Sequence, residues 1–99
     1  MNIQNLMAQA QKMQRDIAKK KEEIDSSIFK GEAEWVQVEI NGKKEIQKLK
    51  ITYEGIIEED DKEALEDMIK IAINKATAAV DKEIESKMGA YGSSLNGLF

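Results

Sequence analysis

Hydrophobic positions along this chain recur at helical spacing, then alternate, then return to helical spacing. From Asn2 to about Ile24, Ile3, Ala10, Ile17 and Ile24 lie seven apart, with Leu6 and Met13 between them and Met7 widening the stripe. The spacing predicts a helix with a coiled-coil-like seam of about three heptads. Lys20 takes the next seam position and weakens it there. On a wheel of about 100° per residue, Lys12, Arg15 and Lys19 fall within roughly 60° of one another, nearly opposite the seam. One face can therefore bury while the other meets solvent or phosphate.

The middle of the chain alternates. Val36, Val38 and Ile40 interleave with Gln37 and Glu39, and Leu49, Ile51 and Tyr53 with Lys48, Lys50 and Thr52. Asn41-Gly42 between them predicts a hairpin, read as a type I′ turn with positive φ at both central residues or as a bulged loop. Ile46 is one residue out of phase with Leu49, which calls for a bulge between them. Ile28 to Ala33 is a candidate third strand, with Gly31 at a bend or bulge.

A second helix is expected from about Asp61 to Met88. Leu65, Met68, Ile69, Ala72, Ile73, Ala76, Ala79 and Val80 form its apolar face, and Ala72, Ala76 and Ala79 permit close approach of a sheet or helix. Asp60 with Glu63 reads as a capping box, Glu58, Glu59 and Asp61 suit the positive end of the helix dipole, and Gly89 ends the helix. The fold class is α+β, with a three-stranded antiparallel sheet between two long helices: one domain over residues 1–92, with a flexible tail over 93–99.

Composition limits what this fold can do. The 99 residues include only five aromatics and are 34% charged, so the core is thin and oligomerisation is the expected source of further burial. With neither Cys nor His, the chain offers no disulfide, no ordinary zinc site, no thiol nucleophile and no imidazole base. No partner that could activate a serine is identifiable. The acidic run Glu58–Asp61 lacks the glycine and alternate spacing of a calcium loop, so it reads as a helix start. The expectation is no enzyme, no metal, no cofactor and no small-molecule substrate. No apolar run reaches the ~18 residues of a membrane span, and no secretory signal is evident, so a cytoplasmic protein is expected.

Charge separates the chain into two parts. Residues 1–21 carry five Lys/Arg against the single acid Asp16, a surplus of four positive charges. Residues 22–99 carry ten Lys/Arg against eighteen acids, a deficit of eight, which together give the net −4. Fields are screened within roughly 10 Å at 0.1 M salt, so a basic arm can bind a polyanion although the whole chain is acidic. Trp35 falls on the Gln37/Glu39 side by alternation, where it either stacks on a base or packs under a helix or at a subunit contact.

Five motifs occur in a familiar order: Leu6-Met7-Ala8-Gln9-Ala10-Gln11-Lys12-Met13-Gln14; Gly31-Glu32-Ala33; Val36-Gln37-Val38 with Asn41-Gly42; Asp60-Asp61-Lys62-Glu63-Ala64-Leu65-Glu66-Asp67; and Ala72-Ile73-Asn74-Lys75-Ala76. Over about residues 1–92 the chain resembles the YbaB/EbfC family of bacterial nucleoid-associated proteins. It departs from the family pattern at Glu34-Trp35, where many members have a glycine run, and at Tyr53–Ile57. The resemblance implies an α-β-β-β-α protomer, a tweezer-like homodimer, and double-stranded DNA as partner with little sequence demand, in the nucleoid of the bacterial cytoplasm. On that reading Lys12, Arg15 and Lys19 face phosphates, Lys20 and Lys21 assist, and Lys43 and Lys44 at the hairpin tip are secondary candidates. The sheet residues Val36, Val38 and Ile40 and the helix residues Ala72, Ala76 and Ala79 are the expected core and dimer interface. The alternative is a non-enzymatic adaptor whose amphipathic first helix docks a partner protein.

Overall fold

The computed structural model describes residues 2–91; the tail expected over 93–99 lies outside them. The elements are α1 (Ile3–Ser26), β1 (Phe29–Ala33), β2 (Val36–Ile40), β3 (Ile46–Ile51) and α2 (Lys62–Met88), with a 3-10 turn Glu59–Asp61 leading into α2. The three strands form an antiparallel sheet in the order β1-β2-β3. The expected α-β-β-β-α order and strand arrangement are therefore present.

The core lies between α2 and one face of the sheet. Val36, Val38 and Ile40 alternate inward from the central strand and meet Ala72, Ala76 and Val80 of α2, all six without accessible surface. The alanines do what their size suggests. They let α2 approach so closely that a Cβ at Gly31 would lie 2.0 Å from the Ala72 carbonyl oxygen and 2.7 Å from the Ala76 nitrogen. Gly31 therefore sits in a regular part of β1, paired with Val38, and not at the bend or bulge expected of it. The glycine is needed for the helix above it.

α2 covers β1 and β2 but not β3, and α1 packs chiefly on α2, with Phe29 and the hairpin tip also against its C-terminal part. The sheet is thus roofed on one side and not enclosed between the helices. Ile17 and Ile24 of α1 are buried with Met88, flanked by Phe29, Ile84 and Tyr91. Everything from Asn2 to Asp16 is exposed, so residues 3–16 form a free arm of roughly 21 Å at 1.5 Å per residue. The described residues extend 70 × 19 × 17 Å.

The second hairpin is present, but its turn is not type I′. Among the described non-glycine residues only Lys44 has positive φ, at 64°. Lys44 N–H donates to the Asn41 carbonyl at 3.0 Å, and Asn41 N–H to the Glu45 carbonyl at 3.0 Å. This is a three-residue loop with Lys44 in the left-handed position. The Asn41 side chain holds it, Oδ1 accepting from the N–H groups of Lys43 (2.9 Å) and Glu45 (3.0 Å). The expected bulge is there: Ile40 pairs with Ile46 and Glu39 with Lys48, leaving Gln47 as the extra residue.

The start of α2 differs by a few residues from the capping box read at Asp60 and Glu63. The carboxylate of Asp61 accepts from Glu58 N–H at 3.0 Å, capping the 3-10 turn that precedes the helix. Glu59, Asp60, Asp61 and Glu63 still crowd its positive end.

Candidate nucleic-acid interface

The basic residues of the first helix divide into two groups. Lys12, Arg15 and Lys19 are exposed, and among the described residues none has an ion-pair partner. They occupy positions i, i+3 and i+7 of one helix face, a span of about 10 Å. That equals roughly three base-pair rises of duplex DNA at 3.4 Å each. Lys12 and Arg15 stand on the free arm, and Lys19 lies just past Ile17, where the helix meets the body.

Lys20 and Lys21 are engaged instead. Lys20 Nζ lies 3.3 Å from the Tyr91 hydroxyl and 3.5 Å from the Lys87 carbonyl, and 5.1 Å from the Tyr91 ring centroid. Lys20 occupies a seam position, and this is how a cation is accommodated there: its charge meets a π face and the carbonyls at the end of α2. Lys21 pairs with Asp25 one turn on, at 2.5 Å. Lys20 thus ties α1 to the end of α2, while the Lys21–Asp25 pair lies within α1.

The hairpin tip reaches the other end of α1. Gly42 N–H donates to the Asp25 carbonyl at 3.3 Å, and a Cβ on Gly42 would lie 2.0 Å from the Ile24 carbonyl oxygen. Lys44 pairs with Asp81 of α2 at 2.8 Å. Lys43 is exposed beside them. These residues, with Ile84, line a shallow hollow of about 410 Å³. The tip therefore adds one exposed cation, Lys43, and one already neutralised by a carboxylate.

Of the residues expected at a subunit interface, Val36, Val38, Ile40, Ala72 and Ala76 are spent inside the protomer core, and Ala79 is half-buried. A different apolar surface stays open. Ile46, Leu49 and Ile51 of β3 pair with Ile40, Val38 and Val36 and so point to the face that α2 covers elsewhere. Among the described residues no helix reaches them, and they are 42–50% exposed. Their alternation was visible in the sequence. What could not be read there is that α2 lies over β1 and β2 and stops short of β3.

Trp35 sits in the two-residue turn between β1 and β2, off the strand face expected for it. Its ring stacks on Tyr53 with centroids 4.5 Å apart, and it packs against the rim of the core. The described residues contain no group of His, Cys, Asp or Glu able to hold a metal ion, and none of their helices is long and apolar enough to cross a membrane.

The model of the YbaB/EbfC DNA-binding family matches residues 1–95. A nucleoid-associated protein of Ligilactobacillus salivarius is 33% identical, over 99% of this chain and 95% of its own. One of Chloroflexus aurantiacus is 37% identical over the whole of both chains. A third, from Lactococcus lactis subsp. cremoris, is 35% identical over 96% of this chain and 97% of its own.

Proposed function

Because this chain belongs to the YbaB/EbfC DNA-binding family, we propose that it binds duplex DNA in the nucleoid as a homodimer, through phosphate contacts with little sequence preference. The family's role is DNA binding and not catalysis, and the chain is not an enzyme. The observation that carries the binding mode is the exposed set Lys12, Arg15 and Lys19, without ion-pair partners among the described residues, on and beside an arm that projects from an acidic body. Phosphate attracts these cations at short range, although the chain as a whole is acidic. Lys43 is a secondary contact. Lys20, Lys21 and Lys44 would contribute field more than direct contacts, since each already has a partner.

The homodimer draws support from the open shelf of Ile46, Leu49 and Ile51. Three large aliphatic residues in a row on an edge strand invite association. A second copy would bring the same row of residues, and a two-fold contact between the two rows would cover both at once. Two protomers would present two basic arms, as tweezers do.

A salt titration of binding to a short duplex tests the proposal. Log affinity falls by about 0.9 per phosphate neutralised for each unit of log salt, so three contacts per protomer give a dimer slope of roughly −5. The triple change Lys12→Ala, Arg15→Ala, Lys19→Ala should flatten that slope and weaken all sequences alike, because phosphates carry no base information. Wild-type protein that ignores duplex at ~50 mM salt would remove the DNA reading and favour the adaptor. A triple variant that binds as well as wild type would move the contact elsewhere.

A further inference from the structure

The basic face of α1 is carried on a lever. α1 is one unbroken helix from Ile3 to Ser26, and the contacts that fix it to the body lie between Ile17 and Asp25. At the inner end Ile24 is buried and the Asp25 carbonyl accepts from Gly42 N–H. At the outer end Ile17 is buried beside Met88, and the Lys20 ammonium lies against the Tyr91 hydroxyl and ring. Beyond Ile17 the helix runs on exposed and carries Lys12 and Arg15. We propose that Tyr91 is a positioning residue for this arm: through Lys20 it fixes the direction in which Lys12, Arg15 and Lys19 meet phosphate. Its effect on DNA rests on the reading that those residues bind duplex; its hold on the arm does not.

Leverage makes the contact matter. With the pivot at the tip contact on Asp25, Lys20 lies about 7.5 Å along the helix, Arg15 about 15 Å and Lys12 about 20 Å. A shift of ~1 Å at Lys20 therefore moves Arg15 by ~2 Å and Lys12 by ~2.6 Å. Charge-assisted hydrogen bonds hold their donor and acceptor within about 2.7–2.9 Å, so such shifts break them. The apolar contacts of Ile17 and Ile24 do not prevent the movement, because burial is non-directional. An ammonium on an aromatic face, within reach of a hydroxyl, has a preferred place.

Lys20 is placed to hold the arm and not to share its phosphates. On the helical wheel it stands roughly 110° from the middle of the Lys12, Arg15 and Lys19 stripe, toward the seam. Its ammonium also lies 3.5 Å from the Lys87 carbonyl, at the end of α2 where the helix dipole favours a cation. Tyr91 follows α2 by three residues, and α2 is held by the core through Ala72, Ala76 and Val80. The arm is thus aligned on the core by way of α2. In a homodimer both arms must reach one duplex, and a spread in either direction lowers the effective concentration of the second. A loosened arm costs affinity without removing a phosphate contact, so it changes Kd and leaves the salt slope alone.

Pulsed dipolar spectroscopy reads the arm without DNA. The chain has no cysteine, so nitroxides on Gln9→Cys and Asn74→Cys, in protein diluted with excess unlabelled chain, report the distance from arm to α2 within one chain. Tyr91→Leu keeps apolar contact but offers neither ring face nor hydroxyl, and Lys20→Met keeps the stem without the charge. Each should widen the distance distribution at least about twofold. Tyr91→Phe, which keeps the ring under the ammonium, should stay close to the wild-type width. All three should melt cooperatively within roughly 8 °C of wild type. Widths unchanged in both Tyr91→Leu and Lys20→Met would overturn the proposal, whatever their midpoints.

On a short duplex, Tyr91→Leu and Lys20→Met should bind about three- to tenfold more weakly at each salt concentration, with the dimer slope still roughly −5. Tyr91→Phe should stay within about twofold of wild type. A slope shallower by about two in Lys20→Met would make Lys20 a phosphate contact and would overturn the positioning role. So would wild-type affinity in Tyr91→Leu. If wild-type protein ignores DNA while the widths change as expected, the DNA reading falls and the hold of Tyr91 on the arm stands.

Discussion

Gly42 and Gly31 are both fixed by backbone lying against them, and neither by a positive φ. Gly42→Val should therefore destabilise through collision with the Ile24 carbonyl, by about 2 kcal/mol or more. For a domain of this size that lowers the thermal midpoint by roughly 8–16 °C. An unchanged midpoint would mean that the tip does not dock on α1. Gly31→Ala should be as severe, since its obstacle is α2 backbone with no side chain to swing away. Lys44 is the opposite case. Its φ of 64° suits glycine better. The ion pair it would forfeit joins two substantially exposed side chains, and such pairs contribute about 0–1 kcal/mol. Lys44→Gly should thus leave stability unchanged or raise it by up to about 1 kcal/mol in a urea titration. A clear loss would show that the pair with Asp81 matters more than its exposure suggests.

At the scale of elements, what decides legibility is whether the signal is local. The seam of α1, the alternation of β2 and β3, the Gln47 bulge and the alanine face of α2 are all periodicities within one segment, and all could be read from the sequence. The turn is the bulged one of the two alternatives read for it; the choice between them could not be read, because Gly42 answers to Ile24, a residue of another element. That Val36, Val38 and Ile40 meet the alanine face of α2 was expected and is found; that α2 stops short of β3 was not legible, since periodicity marks a face as apolar without saying how far its cover extends. Lys12, Arg15 and Lys19 stood out as a face on the helical wheel; that Lys20 and Lys21 are engaged depends on α2 and on local pairing. The same distinction predicts the dynamics of α1. An isolated helix of this length is marginal in water, and the contacts that anchor this one, the buried Ile17 and Ile24 with Lys20 and Asp25, all lie in its C-terminal part. Amide exchange should be fast over residues 3–16, slower over 17–26 and slowest in β2. Ile24→Ala should erase the protection of 17–26 and cost about 2–5 kcal/mol. Equal protection along the whole helix, with the arm unpaired, would contradict a free arm. At the head of α2, millimolar calcium or magnesium should leave the thermal midpoint within about a degree, because acids that cap a helix hold no ion. A saturable upward shift would make Glu58–Asp61 a cation site.

At the scale of the molecule, the open shelf of β3 determines the oligomeric expectation. Sedimentation at micromolar concentration should give about twice the 11.2 kDa chain mass. Leu49→Lys with Ile51→Lys should return the mass to 11.2 kDa while leaving the helical circular-dichroism signal intact. A wild-type monomer, or a doubly substituted dimer, would take the interface away from β3. Trp35 supplies an optical report of the same event. It is the chain's single tryptophan, stacked on Tyr53 at the end of the sheet remote from the hairpin tip that touches α1. Tyr53 follows directly on the shelf strand, so dissociation of the shelf should shift the emission colour and intensity of the stacked indole. Phosphate arriving on the arm should leave both untouched. One fluorophore, placed by the fold at the end remote from the basic arm, should therefore record assembly in the presence of nucleic acid without recording the nucleic acid itself.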